Sequence, residues 1–166
     1  MGNPSPTAPL AIRLATPDDI DIINHLDSFS TSPTRNIHRD MQKYFGSVDP
    51  STHERTLIFL AELNGETAGK AELMLPPSEA RDMDRPHSAN STDNVGYVKR
   101  VVVDPGYRGY GIARQLMEHI ISYARTEHSL DAIDLHVWEG NTPAIRLYES
   151  LGFQLQHREL YFRLPL

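Results

Sequence analysis

The chain has 166 residues, 39% hydrophobic and 23% charged, with a formal net charge of −6 and no cysteine. That length suits one domain with a sizeable core, and no run reaches the roughly 20 apolar residues needed to span a bilayer. The negative charge argues against a general nucleic-acid binder, and the lack of cysteine removes disulfides, thiolate nucleophiles and thiolate metal sites.

Residues 1–9 carry Pro4, Pro6 and Pro9, with neither a basic region nor an apolar run. They read as a disordered lead-in to a domain over residues 10–166. Without a secretory pattern, the expected location is cytoplasmic. Leu10 to Leu14 reads as a first strand. Thr16-Pro17-Asp18-Asp19 then opens a helix: a capping threonine, a proline at the first turn, and two acids at the positive end of the dipole. Ile20, Ile23, Leu26 and Phe29 follow at helical spacing. A second helix is expected from Pro33 to about Phe45, stopped by Gly46.

Thr56 to Leu63 and Thr67 to Leu75 read as antiparallel strands joined by Asn64-Gly65, a strong hairpin-turn signal. Pro76 to Asp93 shows no apolar period and is expected to be a loop, either an acceptor-side lid or a mobile insertion. Val95 to Val103 is a strand, followed by a Gly-rich turn and a helix to about His128. That helix presents Ile112, Leu116, Ile120 and Tyr123 on one face, widened by Ala113, Met117 and Ala124. Ala132 to Trp138 is the next strand. Asn141-Thr142-Pro143 starts a helix with the stripe Ala144, Leu147, Tyr148 and Leu151, ended by Gly152. Phe153 to Gln156 and Glu159 to Leu164 are expected as closing strands. The strand–helix–strand step from Val95 to Trp138 puts two parallel strands in an otherwise antiparallel sheet.

Two segments carry chemistry. In the first, a buried strand (Val101, Val102, Val103) runs into Arg108-Gly109-Tyr110-Gly111-Ile112-Ala113-Arg114. Gly109 and Gly111 let backbone amides approach a ligand, and the helix start adds unpaired donors, which together suit a pyrophosphate. Arg108 and Arg114 add charge nearby. No Gly-Lys-Ser/Thr follows, so this is not a Walker loop, and Arg114 stands where a dinucleotide fingerprint wants glycine or alanine. In the second segment, Asn141 reads as a helix cap and Tyr148 as a stripe tyrosine.

Together the segments resemble the GNAT superfamily of acetyl-CoA-dependent N-acetyltransferases. Arg108 to Ala113 matches its Arg/Gln-x-x-Gly-x-Gly/Ala loop. Asn141 to Phe153 matches its Asn-x-x-Ala-x-x-x-Tyr-x-x-x-Gly-Phe signature, and the strong likeness covers Val95 to Phe153. The resemblance implies a single-domain α/β (α+β) fold. Its mixed, mostly antiparallel sheet would have about seven strands, helices on both faces, and a V-shaped splay between two central parallel strands. It implies acetyl-CoA as cosubstrate, with pantetheine on the backbone of Val101, Val102 and Val103. The pyrophosphate would lie on the amides from Gly109 to Arg114, including those of Tyr110, Ile112 and Ala113. Asn141, Ala144 and Tyr148 would complete the cofactor set, with Tyr148 at the sulfur.

Amine attack on a thioester needs a neutral amine, donors for the oxyanion and a proton for the leaving thiolate. A protonated phenol at Tyr148 supplies the last. Many relatives carry a glutamate on the strand before the loop, where this chain reads Tyr97-Val98-Lys99-Arg100. The candidate bases are therefore His136 and Glu72, ahead of Glu139 just past the strand, with a water-relayed path as the alternative. Lys99 and Arg100 point to opposite faces, and one could meet an anionic acceptor. Among the eight histidines none forms a His-x-x-x-His pair, so no metal is expected. The reading is an N-acetyltransferase acting on a small-molecule amine, with no nucleic-acid or membrane partner, and a homodimer by analogy with the superfamily. A protein acetyltransferase, a non-catalytic acyl-CoA sensor and a nucleotide-dependent oxidoreductase are the competing readings.

Overall fold

A computed structural model describes residues 10–45, 55–76 and 94–166. Gly46, the lead-in over 1–9 and nearly all of the expected 76–93 loop lie outside these residues. The chain forms two compact units, Met1–His136 and Val137–Leu166.

In the first unit the elements run β1 (Ala11–Leu14), α1 (Ile20–Asp27), α2 (Met41–Phe45), β2 (Arg55–Leu63), β3 (Glu66–Leu75), β4 (Val95–Val103), α3 (Ile112–Thr126) and β5 (Ala132–Asp134). The sheet order is β1-β2-β3-β4-β5. The first three junctions are antiparallel and β4–β5 is parallel. Asn64 and Gly65 both take positive φ, 54° and 82°, as a two-residue hairpin turn demands. α1 enters through Arg13, which donates two hydrogen bonds of 2.8 Å to Asp19. Those bonds, with the Thr16 amide and against burial, hold the Asp19 carboxyl down at about 2.

The alternation of β2 sorts the helices. Ile58 and Leu60 join Ile20, Ile23, Leu26, Ile37 and Val102 in one buried cluster on the α1 side. Phe59 points the other way, its ring edge-on to His119 and Tyr123 of α3. Helices therefore cover both faces. α2 is shorter than expected. The Asn36 side chain accepts from the Arg39 amide at 3.0 Å, a local turn that competes with helix, while Ile37 is drawn into the core.

The α1 face also buries charge. Register places Lys70 opposite Leu60, and Glu72 opposite Ile58 and Lys99. The Glu72 carboxylate accepts from Arg35 Nη1 and Nη2 (2.6 and 2.5 Å) and from Lys70 Nζ (2.7 Å). Asp27 takes a second bond from Lys70 (2.7 Å) and one from Arg35 (3.0 Å). Burial pushes the Glu72 carboxyl up. The Arg35 hydrogen bonds and the Lys70 and Arg35 charges reverse this, so the net direction is down.

About seven strands were expected, and the described residues form five. β5 ends at Asp134 rather than Trp138, because β4 pairs with it only at Val95, Gly96 and Tyr97. Phe153–Gln156 and Glu159–Leu164 are not strands. A strand needs a partner edge, and the described residues of Val137–Leu166 contain no other strand. Leu155, Leu160, Phe162 and Leu164 are exposed there, so the alternation exists without a buried face. No described helix is long and apolar enough to cross a membrane.

Removing one partner of a buried ion pair leaves a charge uncompensated. Arg35→Met is expected to cost about 3 kcal/mol of unfolding free energy, measured by urea denaturation. A carboxylate whose value is depressed in the fold stabilises above its unfolded value, near 4.3, and that contribution fades as pH falls through the folded value. Unfolding free energy should therefore decline with acid below about pH 4, and more shallowly in Glu72→Gln. Parallel pH profiles would remove Glu72 from the acid response.

Candidate functional site

The first unit's candidate site is one continuous strand–turn–helix. Along β4 the ladder to β3 continues to Val103, but β5 pairs with no residue beyond Tyr97. The far edge of Val101, Val102 and Val103 is therefore not covered by β5. An extended ligand could add to that edge as a strand would. Between the pairs Glu72–Lys99 and Lys70–Val102 the register shifts, and Arg100 takes φ 52° at this bulge. The Arg100 guanidinium is anchored to the Pro33 carbonyl at 2.7 Å.

After Val103 the chain is pinned. The Asp104 amide donates to the Ala68 carbonyl at 2.8 Å, and the Asp104 carboxylate accepts from the Gly106 amide at 2.8 Å. Tyr107 donates its hydroxyl proton to Glu66. The turn then carries Arg108, Gly109 and Gly111 on the surface, with Tyr110 half-buried. Gly109 and Gly111 take φ 87° and 73°, a region L side chains disfavour. A Cβ at either would have no neighbour within 4 Å, so the turn surface is open. Gly111 caps α3 with no side-chain hydrogen bond. The first helical amides, starting at Ile112 and Ala113, thus open a 15-residue helix that its glycine N-cap has no side chain to cap. Unpaired donors at the positive end of a helix favour an anion such as a diphosphate.

Where the β4–β5 ladder ends, the Tyr97 hydroxyl and His136 Nδ1 are 2.6 Å apart. His136 is exposed, and burial pushes the Tyr97 phenol up. The pair can pass a proton between an imidazole and a hydroxyl. Glu72 is placed differently. Its carboxylate is fully buried and accepts three charge-assisted hydrogen bonds. A group held ionised in this way is a poor acceptor of an amine's proton, so the geometry turns Glu72 from a candidate base into an anchor.

In the second unit, α4 (Thr142–Ser150) is capped by Asn141, whose Oδ1 accepts from the Ala144 amide at 3.4 Å. The helix ends with the Phe153 amide donating to the Tyr148 carbonyl and the Gly152 amide to Glu149, both at 3.0 Å. Gly152 takes φ 98°. This is a Schellman stop, and the Tyr148 and Phe153 rings meet edge-on at 5.8 Å, the apolar contact that accompanies it. The Tyr148, Gly152 and Phe153 spacing is thus one structural motif. Burial pushes the Tyr148 phenol up, so it is protonated at neutral pH.

Sequence reasoning singled out Lys99 and Arg100 but missed the cations around them. Arg35 and Lys43 lie far away in sequence, and no local signal tied them to β4.

The family model described as "Acetyltransferase (GNAT) family" matches residues 21–153. The chain is 32% identical over 148 residues to a mycothiol acetyltransferase of Acidothermus cellulolyticus, covering 86% of this chain and 43% of that protein. It is 28% identical over 121 residues to a glucosamine 6-phosphate N-acetyltransferase of Trypanosoma brucei brucei, covering 73% and 69%. This chain therefore spans less than half the length of the first of these relatives. Among solved structures, the aminoglycoside N-acetyltransferase AAC(6')-Iy in complex with CoA superposes with a TM-score of 0.66 at 17% identity, over 94% of this chain and 100% of that one. At that identity the likeness is one of fold. With a strand edge that β5 leaves beyond Tyr97, a glycine-capped helix start and a match spanning residues 21–153, the chain belongs to the GNAT family of acetyltransferases.

Proposed function

We propose that this chain is an N-acetyltransferase that moves an acetyl group from acetyl-CoA to a primary amine of a small molecule within a ternary complex. The observation that carries this reading is the continuity of β4, the Gly109–Gly111 turn and α3. A strand edge that β5 leaves unpaired beyond Tyr97 leads directly into an open turn and a helix start that no side chain caps. The names of two relatives speak of mycothiol and glucosamine 6-phosphate, which favours a small acceptor.

The residues present fit acetyl-CoA, which supplies the acetyl group and leaves as a thiolate. The backbone of Val101, Val102 and Val103 would take the pantetheine, and an amide there would face the developing oxyanion. The amides from Gly109 through Tyr110, Ile112 and Ala113 to Arg114 would hold the diphosphate, with Arg108 and Arg114 adding charge. The Asn141 carbonyl is occupied by the Ala144 amide, so its amide nitrogen is the group left to donate. Tyr148 would give its phenolic proton to the leaving thiolate. His136 would accept the amine's proton, directly or through water, with the Tyr97 hydroxyl orienting its ring. An acceptor amine of pKa near 10.4 is mostly protonated at pH 7, so that transfer is needed.

Calorimetry with acetyl-CoA beside thiol release on an amine panel tests the class. Tight binding with no turnover of any amine would mark a sensor. Tyr148→Phe is expected to lower kcat about 100-fold while leaving acetyl-CoA affinity nearly unchanged. An unaltered kcat removes Tyr148 from proton delivery. Gly111→Glu puts a side chain and a negative charge where φ is 73°, at a strain cost of about 1 kcal/mol. It should abolish acetyl-CoA binding with the domain still folded by circular dichroism, whereas full affinity would contradict the assignment of the turn.

A further inference from the structure

Charge around the start of the bulge in β4 does not balance. Arg35, Lys70 and Arg100 share the carboxylates of Asp27 and Glu72. Lys99 sits beside them, directly across the ladder from Glu72. It is half-buried. Among the described residues its ammonium has no carboxylate within ion-pair distance, and its electrostatic neighbours are Glu72 against Lys43, Arg35 and Arg100. The Glu72 carboxylate is already saturated by Arg35 and Lys70. Five cations thus gather around two carboxylates, in a chain whose overall charge is −6.

The surroundings fix where this excess points. Lys99 lies on the α1 face of the sheet, as Glu72 does. The α1–α2 connector runs past it: the Arg35 guanidinium stacks 4.7 Å over the Tyr44 ring, and Pro33 holds Arg100. Burial and the three neighbouring cations pull the Lys99 ammonium down from its ordinary value, a penalty that a bound anion would relieve. Along the same strand Val101 is two residues away, just across the bulge at Arg100.

We propose that Lys99, backed by Arg35, Arg100 and Lys43, binds an anionic group, phosphate or carboxylate, on the acceptor, and so selects amines carrying a negative charge a short spacer from the nitrogen. The inference rests on the acetyltransferase reading for the meaning of "acceptor", and on the first unit alone for its geometry. The anion would lie on the Lys99 ammonium while the amine reaches the Val101 backbone. The closeness of the two residues in the strand calls for a short linker.

The test uses the full chain saturated with CoA, so that the diphosphate site is filled. Calorimetry then compares matched probes: aminopropyl phosphate against aminopropanol, and γ-aminobutyrate against γ-aminobutyramide. In the wild type at least one charged probe should bind about 10- to 100-fold more tightly than its neutral twin, the range of a charge-assisted hydrogen bond. The pair showing the larger ratio identifies phosphate or carboxylate. Lys99→Gln should erase the ratio with acetyl-CoA affinity unchanged and the unfolding midpoint no lower, and Lys99→Arg should retain most of it. If neither charged probe outbinds its twin, or if the preference survives in Lys99→Gln, the proposal is overturned. Thiol release with the same probes and acetyl-CoA judges the reaction separately. A charge preference without turnover keeps the anion site and removes the acetyltransferase reading.

Discussion

A carboxylate shut away from water must be matched by cations, and the burial of Glu72 imposes that requirement on half the fold. Arg35 and Lys70 meet it with three short hydrogen bonds. Asp27 then serves both cations a second time. Because Arg35 belongs to the α1–α2 connector and Lys70 to β3, the same bonds lash that connector across the sheet. Arg100 is drawn along, its guanidinium held by the Pro33 carbonyl. An apolar replacement of similar size could be as stable. What the charges add is a fixed position for the connector beside β4, and an excess of positive potential next to Lys99.

The proposed cofactor side follows a different constraint. β4 is shared unequally: β3 follows it to Val103, whereas β5 leaves it after Tyr97. Backbone groups abandoned by one neighbour require another partner, and an extended ligand is one. The turn that follows relies on Gly109 and Gly111, whose positive φ angles would strain any other residue. Gly69 contributes from below. A Cβ there would meet the Val102 carbonyl at 2.9 Å and the Ile112 side chain at 3.2 Å, so its absence lets the start of α3 settle on the sheet. Two chemically unlike surfaces, one of amides and one of ammonium and guanidinium groups, thus flank the same short piece of β4.

In the second unit the signature residues have a mechanical explanation. Asn141 caps α4, and Gly152 with Phe153 ends it in a Schellman stop that packs the Phe153 ring on Tyr148. The motif orients the phenol ring from both ends of a nine-residue helix.

Signals that act over a few residues were legible in the sequence. The Asn64-Gly65 turn, the Thr16 to Asp19 helix start, the stripe of α3 and the span of β4 follow from local propensity and period, and the two motifs pointed to the family. Tertiary structure alone decided the fate of Glu72, because its partner Arg35 is 37 residues away and no local pattern links them. It also decided that β5 stops at Asp134 and that the alternation after Phe153 forms no strand, since a ladder depends on which edge lies alongside. Local steric preference is written in neighbouring residues. Charge compensation and strand pairing depend on groups that only the folded chain brings together.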